Sequence, residues 1–392
     1  MTIHPQPPVG SVAVGLMVLA AACSAAGADP SPTLPPAAAT SPVSTSTTTT
    51  TTAPPPVTTS TSTTTTSTTT TIPTTTTTTT APPDITIGFA GDTSFTHGLA
   101  ARDPLGEVTA MLMAPDLMVV NLETTVAEAG VGRAAAKTYV FKSPPETAAL
   151  LAQAGIDAVS LANNHALDYG PEGVARTIQL IEAWGTHVVG AGIDEAGAYA
   201  PRFLDVKGWT VGIVAFSPNT CVNRPEVAWA CTSFTENTVS AVETAAAASD
   251  ITVVFAHWGV EKARCPVPYQ RELAALWAAA GADLVVGSHP HILQGVERIG
   301  DTWVLHSLGN WAFPSARAER ADTALFEFHV TAAGDVSLRA APVRIVSGRP
   351  TPADFDRKAD IFADLTRYSF GYKFSPGGWA VRRNEPGGAC GE

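Results

Sequence analysis

Residues Asp250–His291 read DITVVFAHWGVEKARCPVPYQRELAALWAAAGADLVVGSHPH, and the texture of this stretch decides the fold. Two apolar, β-rich runs, Asp250–His257 and Asp283–Gly287, each open on Asp and close on small or polar residues, as strands covered on both faces do. Between them Pro268–Ala280 has the spacing of an amphipathic helix, begins at a proline and stops at Gly281. The same apolar run recurs at Asp84–Ala90, Asp116–Asn121, Asp157–Leu161, Trp209–Phe216 and Thr302–Leu308. Further helices are expected at Thr147–Ala154, Pro171–Trp184 and Thr235–Ala248. The first of these follows Ser143-Pro144-Pro145-Glu146, a capping-box spacing, and ends at Gly155. Such alternation predicts a layered α/β sandwich. After Ala321 the pattern changes to alternating strands, Thr323–Val330 and Val336–Val343, a hairpin that would complete a sheet, followed by a helix at Asp354–Tyr368.

Upstream, Ser31–Pro83 is almost wholly Thr, Ser, Pro and Ala, a composition that cannot bury enough apolar surface to offset its ordering entropy. It reads as a tether. Before it an apolar run, Val9–Ala22, ends in Ala20-Ala21-Ala22-Cys23-Ser24. At roughly 14 residues this run is too short to cross a ~30 Å hydrocarbon core as a helix and suits the apolar region of a signal peptide. Small residues ahead of Cys23 resemble a bacterial lipoprotein processing site, which would make Cys23 the point of lipid attachment. The customary Leu stands one place early, at Leu19, and no Lys or Arg precedes Arg102. Either the true start lies upstream or the signal is atypical. The expected organisation is an export segment (1–23), a disordered tether (24–83), an α/β domain (84–346) and a C-terminal extension (347–392), with the protein exported and anchored at the cell surface.

A formal net charge of −12, with no basic stripe, argues against a nucleic-acid partner. Of the 5 cysteines, setting Cys23 aside leaves an even number, as in an oxidising compartment. Cys221 and Cys231 flank a loop rich in Asn, Pro and Trp and are the preferred pair, which leaves Cys265 with Cys390. Four cysteines allow three pairings, so this remains a preference. A thiolate zinc site is the rival, unsupported by any C-x-x-C spacing.

Chemistry-bearing residues concentrate just past the strands. Asp92 follows Ile85–Ala90 and Glu123 follows Leu117–Val120 in Asn121-Leu122-Glu123. Asn163, Asn164 and His165 follow Ala158–Leu161, and His257 ends Ile251–Ala256. His289 and His291 follow Leu284–Gly287, and Asn310 follows Val304–Leu308. Ligands of open α/β sheets bind beyond the carboxyl ends of strands, so these groups are expected to converge. Carboxylates, amides and imidazoles without thiolates suit one or two divalent ions such as Mn²⁺, Fe²⁺ or Zn²⁺. Two imidazoles spaced i, i+2 just past a buried strand, with Gly before and Pro between, have little structural use and read as ligands.

Gly91-Asp92, Asn121-Leu122-Glu123, Asn163-Asn164-His165, His257-Trp258-Gly259 with Glu261, Gly287-Ser288-His289-Pro290-His291 and Ser307-Leu308-Gly309-Asn310 resemble the ordered motifs of the poly-γ-glutamate capsule synthesis (CapA) family. That family is similar to the calcineurin-like metallophosphatases. The resemblance runs from about Ile85 to Val346 and implies an αββα sandwich of the metallophosphatase type. It also implies that Asp92, Glu123, Asn164, His257, His289 and His291 bind metal, that His165 faces the leaving group, and that Asn163, Glu261 and Asn310 belong to the site. The chain departs from the metallophosphatase pattern at Ser94, where that pattern has His, and at Glu123, where it has Asp. One ion would then be short of a ligand, and His97 is a poor substitute on spacing. Asp168 stands three residues past His165. It would either fix the ring's tautomer or cap the helix starting near Pro171.

Two readings follow. One is a surface-tethered, metal-dependent hydrolase of phosphoesters or another envelope-polymer bond, with His165 as general acid assisted by Asp168. The other is a non-catalytic accessory protein that binds an anionic envelope polymer alongside other capsule-synthesis proteins. No G-x-x-x-x-G-K-[ST] loop is present to suggest an ATP-using ligase.

Overall fold

The computed structural model describes residues 82–217, 236–314, 317–384 and 388–391. The export segment with Cys23, nearly all of the tether, and the preferred pair Cys221 and Cys231 lie outside the described residues. None of the described helices is long and apolar enough to cross a membrane.

Two sheets carry the fold. The first has seven strands in the order Arg349–Pro352, Val336–Val346, Asp322–Val330, Ile85–Thr93, Leu117–Leu122, Ala158–Ser160 and His187–Val189. The last four run parallel to one another, while Asp322–Val330 is antiparallel to Ile85–Thr93. The second has six strands in the order Val296–Ile299, Thr302–Leu305, Leu284–Ser288, Ile251–His257, Trp209–Phe216 and Arg202–Val206, parallel except at its two edges.

Side-chain alternation sorts the layers, since successive strand residues face opposite ways. Ile85, Ile87 and Phe89 point between the sheets and pack with Val211, Ile213, Val253, Phe255, Leu284 and Val286. Ala90, Met118, Val120 and Val159 face the other way, against Leu151 of helix Glu146–Gln153 and Val174 and Ile181 of helix Gly170–Ala183. On the far side Val214, Phe216, Val254 and Val285 meet Val242 and Ala245 of helix Glu236–Ala246 and Ala274 and Trp277 of helix Pro268–Ala279. The result is a helix–sheet–sheet–helix sandwich, in which each fully buried Val, Leu or Phe contributes about 1.5–3 kcal/mol of transfer free energy. This is the αββα layering implied by the motifs.

Two details differ from the sequence reading. Helix Glu146–Gln153 starts at Pro145 with no side-chain cap. Ser143 is extended in a short ladder with Thr125–Val126, and its Oγ instead accepts from Phe95 N (3.1 Å) and donates to Thr124 Oγ1 (3.1 Å). The segment beyond residue 346, set apart as an extension, is built into the sandwich. A turn through Ser347 and Gly348, both at positive φ, returns the chain as the edge strand Arg349–Pro352, and helix Phe355–Tyr368 buries Ile361 and Leu365 in the inter-sheet core. Farther on, Cys390 Sγ lies 2.09 Å from Cys265 Sγ.

Candidate metal centre

The parallel strands of both sheets end along one edge, and the polar residues expected past them meet there. Asp92 lies near the end of Ile85–Thr93, where its N–H donates to Gly309 O (3.0 Å) and its C=O accepts from Trp311 N (2.8 Å). A Cβ on Gly91 would stand 1.9 Å from Gly309 O, so only glycine lets these two segments touch. Glu123 follows Leu117–Leu122 and is fixed by its N–H donating to Thr93 O (2.8 Å). His257 ends its strand; His289 and His291 follow theirs at φ 95° and 57°. Left-handed backbone at two non-glycine residues is costly, of order 1–3 kcal/mol each, and is characteristic of sites where side-chain aim overrides backbone preference.

Glu123 is fully buried, and neither carboxylate oxygen has a hydrogen-bond partner. Its Oε1 lies 3.7 Å from His257 Nε2, 3.8 Å from His165 Nε2 and 3.9 Å from His291 Nε2. These separations are too long for hydrogen bonds, and an unpaired buried polar group costs about 1–3 kcal/mol. Two overlapping donor sets, Glu123 with His257 and His289, and Asp92 with Glu123 and His291, each place their ligand atoms within 4.8 Å of one another. A divalent cation would satisfy the orphaned carboxylate, so the residues present fit such an ion. Asn164 Oδ1 adjoins the first set, 2.8 Å from His257 Nε2. Asn310 Oδ1 adjoins the second, 2.9 Å from His291 Nδ1.

The protonation of the cluster points the same way. Burial, reinforced by the Asp92 charge, pushes the Glu123 carboxyl well above its ordinary value. Burial also drives His257 well below the usual imidazole value and brings His289 down to about 4, with neighbouring imidazoles adding to both shifts. At His291 burial acts in the same sense, but the Glu123 and Asp92 carboxylates outweigh it and hold the ring up at about 9.

His165 borders the cluster. Its Nδ1 lies 2.7 Å from Asp168 Oδ2, and Asp168 is fully buried. Asp168 also accepts from Phe141 N (2.5 Å) and pairs with Lys137 Nζ (2.5 Å), whereas helix Gly170–Ala183 begins at Tyr169 with no side-chain cap. Of the two roles open to Asp168, the geometry places it on the ring. Phe141 stacks on the other face of His165 with centroids 4.0 Å apart, and burial holds the imidazole below its ordinary value against the opposing pull of Asp168.

Asn163 braces the site: its Oδ1 accepts from His165 N (3.0 Å), and its Nδ2 donates to Leu122 O (2.9 Å) and Asn121 Oδ1 (3.1 Å). Glu261 is exposed and makes only a longer-range electrostatic contribution to Glu123, His289 and His291. Ser94 is buried, its Oγ donating to Thr96 Oγ1 (3.4 Å), and His97 is exposed. Sequence reasoning assigned no site role to Asn121, Lys137 or Phe141. Asn121, two residues before Glu123, donates to Asp92 Oδ1 (2.8 Å), and Lys137 Nζ also donates to Asn164 O (2.7 Å).

The class that fold and site define is an αββα sandwich of the metallophosphatase type with carboxylates, imidazoles and amides gathered at its strand ends, a donor set consistent with divalent-metal binding. The family model for bacterial capsule synthesis protein, PGA_cap, matches residues 84–315, more than half of the chain, and this chain belongs to that family. It is 28% identical over 277 residues to the PGA biosynthesis protein CapA of Bacillus subtilis (strain 168), covering 69% of this chain and 73% of that one. It is 29% identical over 229 residues to the capsule biosynthesis protein CapA of Bacillus anthracis, covering 55% of this chain and 54% of the relative. Among solved structures, a phosphatase of Mycoplasma pneumoniae is similar at 13% identity and a TM-score of 0.47, over 69% of this chain and 96% of that one.

Proposed function

We propose that this chain is an exported, surface-tethered protein of capsule poly-γ-glutamate or related envelope-polymer biosynthesis, and that its strand-end cluster is a metal-dependent hydrolase centre acting on a phosphoester or another bond of an anionic envelope substrate. The observation that carries this reading is Glu123: a fully buried carboxylate with both oxygens unpartnered, ringed by three imidazole nitrogens at 3.7–3.9 Å. Capsule biosynthesis comes from the relatives and export from the N-terminal sequence.

Glu123, His257 and His289, and Asp92, Glu123 and His291, would hold one or two ions of the Mn²⁺, Fe²⁺ or Zn²⁺ type, with Asn164 and Asn310 beside them. An ion there would supply Lewis-acid chemistry. His165 does the proton work: Asp168 holds its Nδ1, which leaves Nε2 facing the cluster to give or take a proton. Lys137 compensates the buried Asp168 charge, and Phe141 shields one face of the ring from water.

The test pairs metal analysis of the purified chain with a screen of phosphomonoesters and phosphodiesters. Stoichiometric metal with turnover that chelator removes supports the reading. Metal without turnover on either class makes the chain a polymer-binding accessory protein, and absence of metal refutes the centre itself.

A further inference from the structure

The proton on His257 carries an inference that rests on the metal-centre reading and goes beyond it. To bind a cation with Glu123 and His289, His257 must offer a bare nitrogen. Its Nε2 is the nitrogen that faces them, 3.7 Å from Glu123 Oε1 and 3.1 Å from His289 Nδ1. The ring proton must then sit on Nδ1, and it needs an acceptor there.

Around Nδ1 stand Ser288 Oγ at 3.0 Å, Asn121 Nδ2 at 3.2 Å and Asp92 Oδ1 at 3.9 Å. The last is beyond hydrogen-bond distance. Asn121 cannot turn its oxygen toward the ring, because a chain of backbone groups fixes its amide. His165 N–H fixes Asn163 Oδ1, and Leu122 C=O fixes Asn163 Nδ2. Asn163 Nδ2 in turn requires Asn121 Oδ1, and the acceptor-only Asp92 carboxylate requires Asn121 Nδ2. Asn121 therefore presents N–H to His257 Nδ1, which favours the opposite tautomer. In that tautomer Nδ1 accepts from Asn121 while Nε2–H donates to Asn164 Oδ1 at 2.8 Å.

We infer that Ser288 is a positioning residue for the metal centre: its hydroxyl accepts the Nδ1 proton of His257 in the ion-bound state. Ion binding thereby moves the ring proton from the Asn164 side, at Nε2, to the Ser288 side, at Nδ1. Ser288 is fully buried at the last position of strand Leu284–Ser288, one residue before His289, so its hydroxyl is held beside the ring by the sheet itself.

The experiment measures Zn²⁺ and Mn²⁺ dissociation constants for the full chain, Ser288→Ala and Ser288→Thr, together with the ¹⁵N signals of the His257 ring with and without Zn²⁺. The expected result is a 10–100-fold weaker affinity in Ser288→Ala, recovery in Ser288→Thr, and a ring proton that moves from Nε2 to Nδ1 when Zn²⁺ binds the unaltered chain. Circular dichroism of each variant guards against misfolding, and the nitrogen signals stand even if Ser288→Thr packs badly. Affinity unchanged in Ser288→Ala overturns the role of Ser288, and a His257 proton already on Nδ1 in the ion-free chain overturns the proton shift, each while leaving the metal centre intact. An unaltered chain that binds neither ion overturns both.

Discussion

Removing the sulfur pair Cys265–Cys390 is expected to be the largest single loss of stability available outside the buried core. The two cysteines are separated by 125 residues, and the short stretch around Cys390 is also held by Ala389 N donating to Arg367 O (2.7 Å). In the chain-entropy model a loop of that size restricts the unfolded ensemble by about 5 kcal/mol at 25 °C. With an unfolding entropy of roughly 2.1 cal/mol/K per residue over some 300 ordered residues, this corresponds to a fall of about 8 °C in Tm. A Cys265→Ser, Cys390→Ser double variant and the unaltered chain, each with and without reductant, are compared by calorimetry and by denaturant titration. Reductant should lower the Tm of the unaltered chain by about 8 °C more than it lowers that of the double variant, which keeps Cys221 and Cys231. In that chain-entropy model the stabilisation is an unfolded-state effect, so the native site should survive: cation affinity in the double variant stays within a factor of about two. Equal Tm values with and without reductant, or two titratable thiols at these positions in protein from an oxidising compartment, would refute the reasoning.

His165→Gln should keep its metal, because no ligand is removed, while turnover falls by ~10²–10⁴-fold, with a smaller deficit for nitrophenyl esters than for alkyl phosphates; metal analysis alongside both substrates decides, and loss of metal would assign the ring to the ion instead. A pH effect is also expected at Glu297, outside the two donor sets. Burial alone would raise that carboxyl, but His306 Nε2 (2.9 Å) and the Arg271 guanidinium (2.8 Å) outweigh burial and hold it below its ordinary value. A depressed folded-state pKa contributes stability that is present above the unfolded value of about 4.3 and lost as pH falls through the folded one. Denaturation midpoints measured from pH 6 to pH 3 should therefore fall less steeply for Glu297→Gln than for the unaltered chain, and parallel curves would count against the pair.

How much of the fold was readable followed from how deeply each element is buried. Runs such as Ile251–His257 and Leu284–Ser288 are covered on both faces, so their sequences are continuously apolar and their bounds fall within a residue or two of those expected. Strands with no such signal include the short or edge strands His187–Val189, Arg202–Val206, Val296–Ile299 and Arg349–Pro352. Arg202–Val206 alternates exposed and buried positions and carries two charges in five residues. Arg349–Pro352 contains two prolines, which an edge tolerates and an interior strand would not. Sequence periodicity reports burial, and an edge strand is held chiefly by backbone hydrogen bonds, which leave little mark on residue type.

The site was legible for a related reason and incomplete for another. Asp92, Glu123, His257, His289 and His291 stand at or just past buried strands, so their placement followed once the strands were found, and the two donor sets are drawn from these five residues alone. Lys137 and Phe141 reach His165 from a segment, residues 130–141, that contains no helix or strand, and nothing in its spacing announces where a loop will fold back. Their approach is dictated instead by Asp168, which binds Phe141 N, Lys137 Nζ and His165 Nδ1 at once. Ser94 makes the complementary case. The family comparison left one ion short of a ligand there, yet Ser94 points its hydroxyl to Thr96, and Asp92, Glu123 and His291 form the second donor set without it. Glu123 carries one more methylene than the Asp of the metallophosphatase pattern, and its Oε1 lies within 4 Å of nitrogens on three separate chain segments. Reach across the sheet edge thus depends on side-chain length and strand register together, neither of which a motif records.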